Sequence, residues 1–305
     1  MKKVVIIALA ALFSVAYPYA QNISIGVKGG LSIPNLTSGG KKYDTPLSEG
    51  YSSRTVGGGG IDVEFHLTEV FSIQTGLEYS MQGGLKKGVQ ALPGQPIYDA
   101  IRANISQQPG GEQLLPVFNS LTLPQEGTYV YADIKSVAKF NYLMLPVQAK
   151  FGWKMSESSP FRVYVSGGIF GSYLLSAKRD MSGTSAMYAD KNATTMSSYW
   201  NNIYPALPLP EPIIGAFSAI FTSMDIPQQL DNKTDIKNEI HPFNFGVIGN
   251  VGISYNLSAR NRIFLEGGGN YGFFTIQKDD ANGRNRIGAG AVMVGISRTF
   301  GKNKS

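Results

Sequence analysis

Cysteine is absent, histidine occurs only twice, and charged residues make up only 16% of the 305-residue chain. The first absence removes disulfides, thiolate nucleophiles and thiolate metal sites together. It also excludes a lipid-anchored lipoprotein, which needs a Cys behind its apolar leader. Two histidines leave little material for general-base chemistry or metal ligation. Long apolar runs are missing as well: beyond residue 20 none reaches the roughly 20 residues that a membrane-spanning helix needs. A membrane protein with this sequence would have to cross as strands closed into a barrel.

What is present begins with a leader. Lys2 and Lys3 precede Val4 to Ala16, a run of 13 residues that is apolar except for Ser14. A basic start, a short apolar core and small residues after it describe a secretory signal peptide. Ser14-Val-Ala16 and Ala20 both offer cleavage points, and the strand-like sequence starting at Asn22 favours the second. The division expected is therefore a signal peptide over 1–20 and one barrel domain over 21–305. The 27 basic and 21 acidic residues are scattered rather than clustered, which excludes a nucleic-acid surface. Glycine is abundant, 36 residues, and much of it lies inside apolar runs such as Gly57 to Gly60. Such runs ruin helices, but they permit strong strand curvature in a small barrel.

The segment from Phe71 to Met81 alternates strictly. Phe71, Ile73, Leu77, Tyr79 and Met81 share one face, while Ser72, Gln74, Gly76, Glu78 and Ser80 share the other, the period-two signature of a strand. Seven further strands are expected near 22–33, 54–66, 139–154, 161–177, 242–256, 263–276 and 287–300. The connections between them alternate long and short without exception, the long ones including 34–53, 83–138 and 178–241. Short periplasmic turns and long outer loops are the asymmetry of transmembrane barrels. Of 16 prolines, 12 fall in those three long loops; Pro146, inside a strand, marks a bulge or kink.

The alternation assigns faces. Ile25, Val27, Leu31, Ile61, Val63, Val165, Ile169, Val247, Val251 and Leu265, among others, face lipid. Lys28, Asp62, Glu64, Glu78, Lys150, Arg162 and Glu266 face inward with Gln148, Tyr164, Asn244, Asn250 and Asn270. An eight-stranded barrel has room for side chains and little else, so these three basic and four acidic residues are expected to pair as a charge network in a plugged lumen. Aromatic residues near strand ends, including Phe65, Phe71, Tyr79, Phe140, Tyr142, Trp153, Phe161, Tyr173, Tyr255, Phe264 and Phe300, are expected to form interfacial girdles.

Three stretches carry a family resemblance: Gly26-Val-Lys-Gly-Gly-Leu-Ser-Ile-Pro-Asn35, Gly76-Leu-Glu-Tyr-Ser-Met-Gln-Gly83, and Asn141-Tyr-Leu-Met-Leu-Pro-Val-Gln-Ala-Lys150. They resemble the PorT-like outer-membrane β-barrel proteins of Bacteroidota, a small barrel of the OmpA/OmpX type. The third stretch is the most specific, since the family tends to carry Tyr-Leu-x-x-Pro-x-x-x-Lys in its fourth strand. The resemblance covers the strands and not the two large loops. It implies a barrel fold and an outer-membrane location, and it implies little about activity; one member's name is tied to protein secretion, but no motif here carries that role.

No catalytic constellation emerges. His66 maps to the periplasmic end of a strand and faces inward; His241 lies at the outer rim near Asp235 and Glu239, where a solvated loop histidine is the simpler reading. Gly57 to Gly60 lacks the Lys-Ser/Thr of a phosphate loop. No cofactor or metal is expected. The large loops are where function should lie, and they hold helix-like pieces at Ile97–Ser106 and Glu112–Leu121 and an apolar stretch over Ile203–Phe221. Either they pack on each other as a cap, or the face around Ile213, Phe217 and Phe221 docks a partner. The expectation is an all-β, eight-stranded antiparallel up-and-down transmembrane barrel with short helices in its long outer loops. It is expected to be non-enzymatic and monomeric, with outer-membrane lipid around it and another envelope protein reached through loops 83–138 and 178–241. An accessory role in a secretion or assembly complex and a lipid-modifying enzyme using His241 are the alternatives.

Overall fold

The computed structural model describes residues 22–38, 45–279 and 283–301; the leader expected over 1–20 lies outside the described residues. The chain starts with β1 (Asn22–Ser38), β2 (Val56–His66) and β3 (Phe71–Lys86). A first excursion holds β4 (Val89–Pro93), α1 (Gly94–Gln107), α2 (Gly111–Ser120) and β5 (Tyr129–Asp133). The long strands β6 (Lys135–Lys154) and β7 (Phe161–Ser182) follow. A second excursion contains β8 (Thr184–Ser185), α3 (Met196–Ile203), α4 (Glu211–Met224), β9 (Gln228–Gln229) and β10 (Asn232–Asp235). The strands β11 (Phe243–Asn256), β12 (Asn261–Gly272) and β13 (Asn285–Gly301) complete it.

Eight strands form the ring, in the order β1, β2, β3, β6, β7, β11, β12, β13, and β13 pairs back onto β1 from Asn22↔Gly301 to Ser38↔Asn285. Every neighbouring pair is antiparallel. Closure leaves no edge, so the backbone groups of the wall are satisfied without water, as hydrocarbon requires. Among the described residues no helix is long and apolar enough to cross a membrane.

The strands match the expected ones closely at their periplasmic ends, with β12 starting earlier at Asn261; at the outer end β1, β3, β6, β7 and β13 outgrow them, whereas β12 stops short at Gly272. Residues 83–86, 135–138 and 178–182, read as loop, continue β3, β6 and β7 outward, and β10 adds to the edge of β7. Past the last apolar outward residue, the alternation that marks a membrane strand stops, although the ladder continues.

Pro146 sits within unbroken β6. Lacking an N–H, it leaves the β3–β6 ladder interrupted between the pairs Thr75↔Val147 and Glu78↔Met144. The Thr75 hydroxyl donates to the Pro146 carbonyl at 2.8 Å across that gap. The irregularity of register lies instead on the β6–β7 side, between Asn141 and Tyr142.

Faces fall as the alternation requires: Ile25, Val27, Leu31, Ile61, Val165, Ile169, Val247, Val251 and Leu265 are exposed, although Phe65, at an outward register position, is buried. The girdle assignment divides. Trp153, Phe161 and Phe300 are exposed at strand ends and Tyr79 and Tyr173 are exposed further along their strands, whereas Phe140, Tyr142 and Phe264 point inward and are buried. They sit at even positions beside outward-facing odd ones, and an aromatic near a strand end is read correctly only with its parity. Phe243, Phe245 and Phe273 complete the outer girdle around Tyr173. Inward glycines make room for the rings: a Cβ on Gly246 would stand 2.7 Å from the ring of Phe170.

Candidate functional site

The lumen is built in two layers. In the periplasmic half, the β1 side chain of Lys28 reaches Glu78 of β3 at 2.8 Å and Glu266 of β12 at 2.9 Å. Glu266 also accepts a hydrogen bond from the Tyr164 hydroxyl at 3.1 Å. Beside this group, Glu64 of β2 takes Lys150 of β6 at 3.0 Å, Arg262 of β12 at 3.1 Å and the Ser72 hydroxyl at 2.7 Å. Gln148 accepts from Asn250 and Ser166. Seven of the eight wall strands contribute, so the network ties the ring together across its diameter.

Of the residues expected to pair, five do: Lys28, Glu64, Glu78, Lys150 and Glu266. Asp62 does not. It is buried, and its Oδ1 has no partner. Arg162 does not meet a carboxylate either; it donates to the backbone carbonyls of Glu69 and Gly152 at 2.6 and 3.0 Å, at the periplasmic mouth. The cation that pairs with Glu64 in its place is Arg262, left out of the expected set because β12 was taken to start at Ile263. Its shared parity with Phe264 and Glu266 was the available signal.

Near the mouth, Ser24 Oγ lies 2.7 Å from His66 Nε2, and Glu64 Oε1 lies 3.6 Å from His66 Nδ1. The order is that of a hydrolytic triad, but the geometry does not serve one. Ser24 is buried and shares a hydrogen bond with Thr299, and Glu64 is committed to two cations. Among the described residues no cluster of three or more His, Cys, Asp or Glu side chains could hold a metal ion.

In the outer half the lining is mainly apolar, with Gln82, Ser172 and Asn244 buried among it. Phe140, Tyr142 and Met144 of β6, Phe170 and Leu174 of β7, Ile248 of β11 and Ile287 of β13 pack together with Leu36 and Ile276. This layer was not expected, because on β6 it alternates with the equally apolar Leu143 and Leu145 and leaves no contrast between faces.

Above it the two excursions fold into a cap. Trp200 of α3 is fully buried, stacked on Phe221 of α4 with centroids 5.3 Å apart, and its Nε1 donates to Ser218 at 2.9 Å. Phe217 packs on both Trp200 and Phe118 of α2. Asp225, just past α4, accepts from the Met196 backbone N–H at 2.8 Å and caps the start of α3, satisfying a donor that the helix leaves open. Phe217 and Phe221 are therefore the centre of the cap and not a docking face, and Ile213 is half-buried against the same core. The exposed positions of α4 are Glu211, Pro212, Gly215, Ala219, Thr222 and Ser223, too small and polar to seat an apolar partner. Burial in the cap holds the Tyr98 phenol above its ordinary pKa, with Tyr199 adding to the effect.

Solved structures share this outline at low similarity. The chain covers 97% of the neisserial surface protein A chain at 9% identity, with 90% of its own length and a TM-score of 0.33. Against OprG of Pseudomonas aeruginosa, 93% of this chain and 98% of that one align at 8% identity, with a TM-score of 0.35. Ail, the attachment invasion locus protein of Yersinia pestis, aligns over 92% of this chain and 99% of that one, at 8% identity and a TM-score of 0.32. No curated protein matches the chain. The model of the outer membrane protein beta-barrel domain matches residues 19–278. With that match and a closed ring of eight strands, the chain belongs to the outer-membrane β-barrel domain family and its place is the outer membrane.

Proposed function

We propose that this chain is a sealed, non-enzymatic barrel with a structural or interaction role, meeting other molecules through its capped outer loops and lipid through its wall. The carrying observation is the double occlusion of the lumen: an ion-paired layer below, an apolar layer above, and a folded cap over both. A passage for solutes would have to break the first or displace the second. The absence of a hydrogen bond or ion pair between the His241 ring and Asp235 or Glu239, among the described residues, favours this reading over a lipid-modifying enzyme. The loops 83–138 and 178–241 are the surface for a further envelope protein, and the polar outer face of α1 (Asp99, Asn104, Ser106) suits a reversible contact better than a permanent apolar one. Membership of the PorT-like branch of Bacteroidota is supported by the Tyr142 to Lys150 stretch, and an accessory role in secretion has no residue here to carry it.

Single-channel recording in planar bilayers tests the sealed barrel. The refolded full chain should give no stable conductance, and a reproducible open state of the unmodified protein would overturn the reading.

A further inference from the structure

Between the apolar layer and the cap lies a cavity of about 120 Å3 with two kinds of wall. Its apolar lining includes Leu36, Phe140, Ile236 and Ile240, all buried. Its polar lining includes Lys86, the half-buried Arg179 and the ring of Tyr51. Lys86 is 6% exposed. Its ammonium donates to the Leu47 carbonyl at 2.7 Å and stands 4.4 Å from the centre of the Tyr51 ring. Those contacts use part of its donor capacity and supply no counter-charge. Among the described residues no carboxylate forms an ion pair with Lys86 or Arg179; Glu49 attracts Lys86 from a distance and Glu239 borders the cavity, and both are exposed.

Buried charge is costly unless it is paired, and in the lumen below Lys28, Lys150 and Arg262 each meet a carboxylate. Two cations gathered beside an enclosed apolar corner are the complement of an anion with a hydrocarbon body. The volume limits the size: at about 120 Å3 it is below the roughly 150 Å3 of an apolar cavity that accepts benzene, so the hydrocarbon can be no larger than one ring and the carboxylate must sit at the cationic rim. We propose that this cavity binds a small amphiphilic carboxylate, an aryl acid or short fatty acid, with its carboxylate between Lys86 and Arg179 and its hydrocarbon against Leu36, Phe140, Ile236 and Ile240. The site lies beneath the cap, so occupancy couples the loops to the barrel.

The test uses the full chain refolded into lipid nanodiscs and titrated calorimetrically with benzoate and with benzyl alcohol, its uncharged analogue. Benzoate should bind saturably and at least about tenfold more tightly than the alcohol, the increment expected from charged hydrogen bonds. Lys86→Met should abolish that preference while leaving the alcohol's affinity in place, and Ala138→Leu, which fills the cavity floor, should weaken both. Heat-modifiable gel mobility reports whether each variant folds; if Lys86→Met does not, Arg179→Gln is read in its place. Absence of saturable benzoate binding, equal affinity for acid and alcohol, or an acid preference that survives the folded cation variant would each overturn the proposal.

Discussion

In the periplasmic half of the lumen, Lys28, Lys150 and Arg262 meet Glu64, Glu78 and Glu266; in the outer half, Phe140, Tyr142, Met144, Phe170 and Leu174 fill the same bore with hydrocarbon. Both halves are filled by side chains, but they respond differently to a missing one. A buried ion pair broken on one side leaves an uncompensated charge, and the cost falls on the surviving partner. A truncated apolar side chain leaves a void, and the cost follows the size of that void. The lower half is therefore a coupled unit, whereas the upper half is nearer a sum of parts.

The largest expected effect follows from Glu64, which holds two cations. Glu64→Leu should lower the stability of the refolded barrel by about 3–5 kcal/mol in urea titrations, because Lys150 and Arg262 are left facing each other. Adding Lys150→Met should restore part of the loss, so the double variant is more stable than additivity allows. If the two single effects simply add, the lower half is not coupled and the comparison fails.

Phe170→Ala probes the other half. It should cost about 3 kcal/mol or more through cavity formation, and combined with Leu174→Ala or Ile248→Ala the losses should accumulate without rescue. A rescue of the kind expected for Glu64 and Lys150 would erase the distinction between the halves.

The two layers also differ in how far they could be read from residues alone. Phe71 to Met81 alternates polar with apolar, so its faces were legible, and so were Lys28, Glu64, Glu78, Lys150 and Glu266 as lumen residues. Residues 140–145 are apolar on both faces, and periodicity carries no information where both environments, lipid and plug, favour the same side chains. Partners within the lumen were not legible at all: Glu64 with Arg262 is a contact across 198 residues, and the shear of the ring decides it. The cap was legible as helix, from Ile97–Ser106 and Glu112–Leu121, but α3 was not singled out. The burial of Phe217 and Phe221 depends on Trp200 and Phe118, which come from other elements of the cap.

Cap and barrel form a second comparison with smaller expected effects. The Trp200 cluster touches neither the ion pairs nor the apolar layer, so Trp200→Ala should expose loops 83–138 and 178–241 to limited proteolysis while leaving the barrel's heat-modifiable mobility unchanged. Simultaneous loss of both would mean that the cap is part of the barrel's cooperative unit.

Tyr98 offers the finest measure of that separation. Its hydroxyl is buried without a hydrogen-bond partner, so Tyr98→Phe removes an unsatisfied polar group and should leave the cap as stable as before or up to about 1 kcal/mol more so. The same substitution carries a pH signature. Burial first, and Tyr199 second, raise the phenol's pKa in the folded cap, so the neutral form is favoured there relative to the unfolded loop. The contribution is fully present below the ordinary tyrosine value of about 10 and is lost as pH rises beyond it. Protease resistance of the cap should therefore fall off at alkaline pH in the parent chain and fall off less in Tyr98→Phe, with barrel mobility identical in both. Equal alkaline sensitivity in the two proteins would place the titrating group elsewhere, for instance at Tyr51 beneath the cap, whose phenol is also raised by burial.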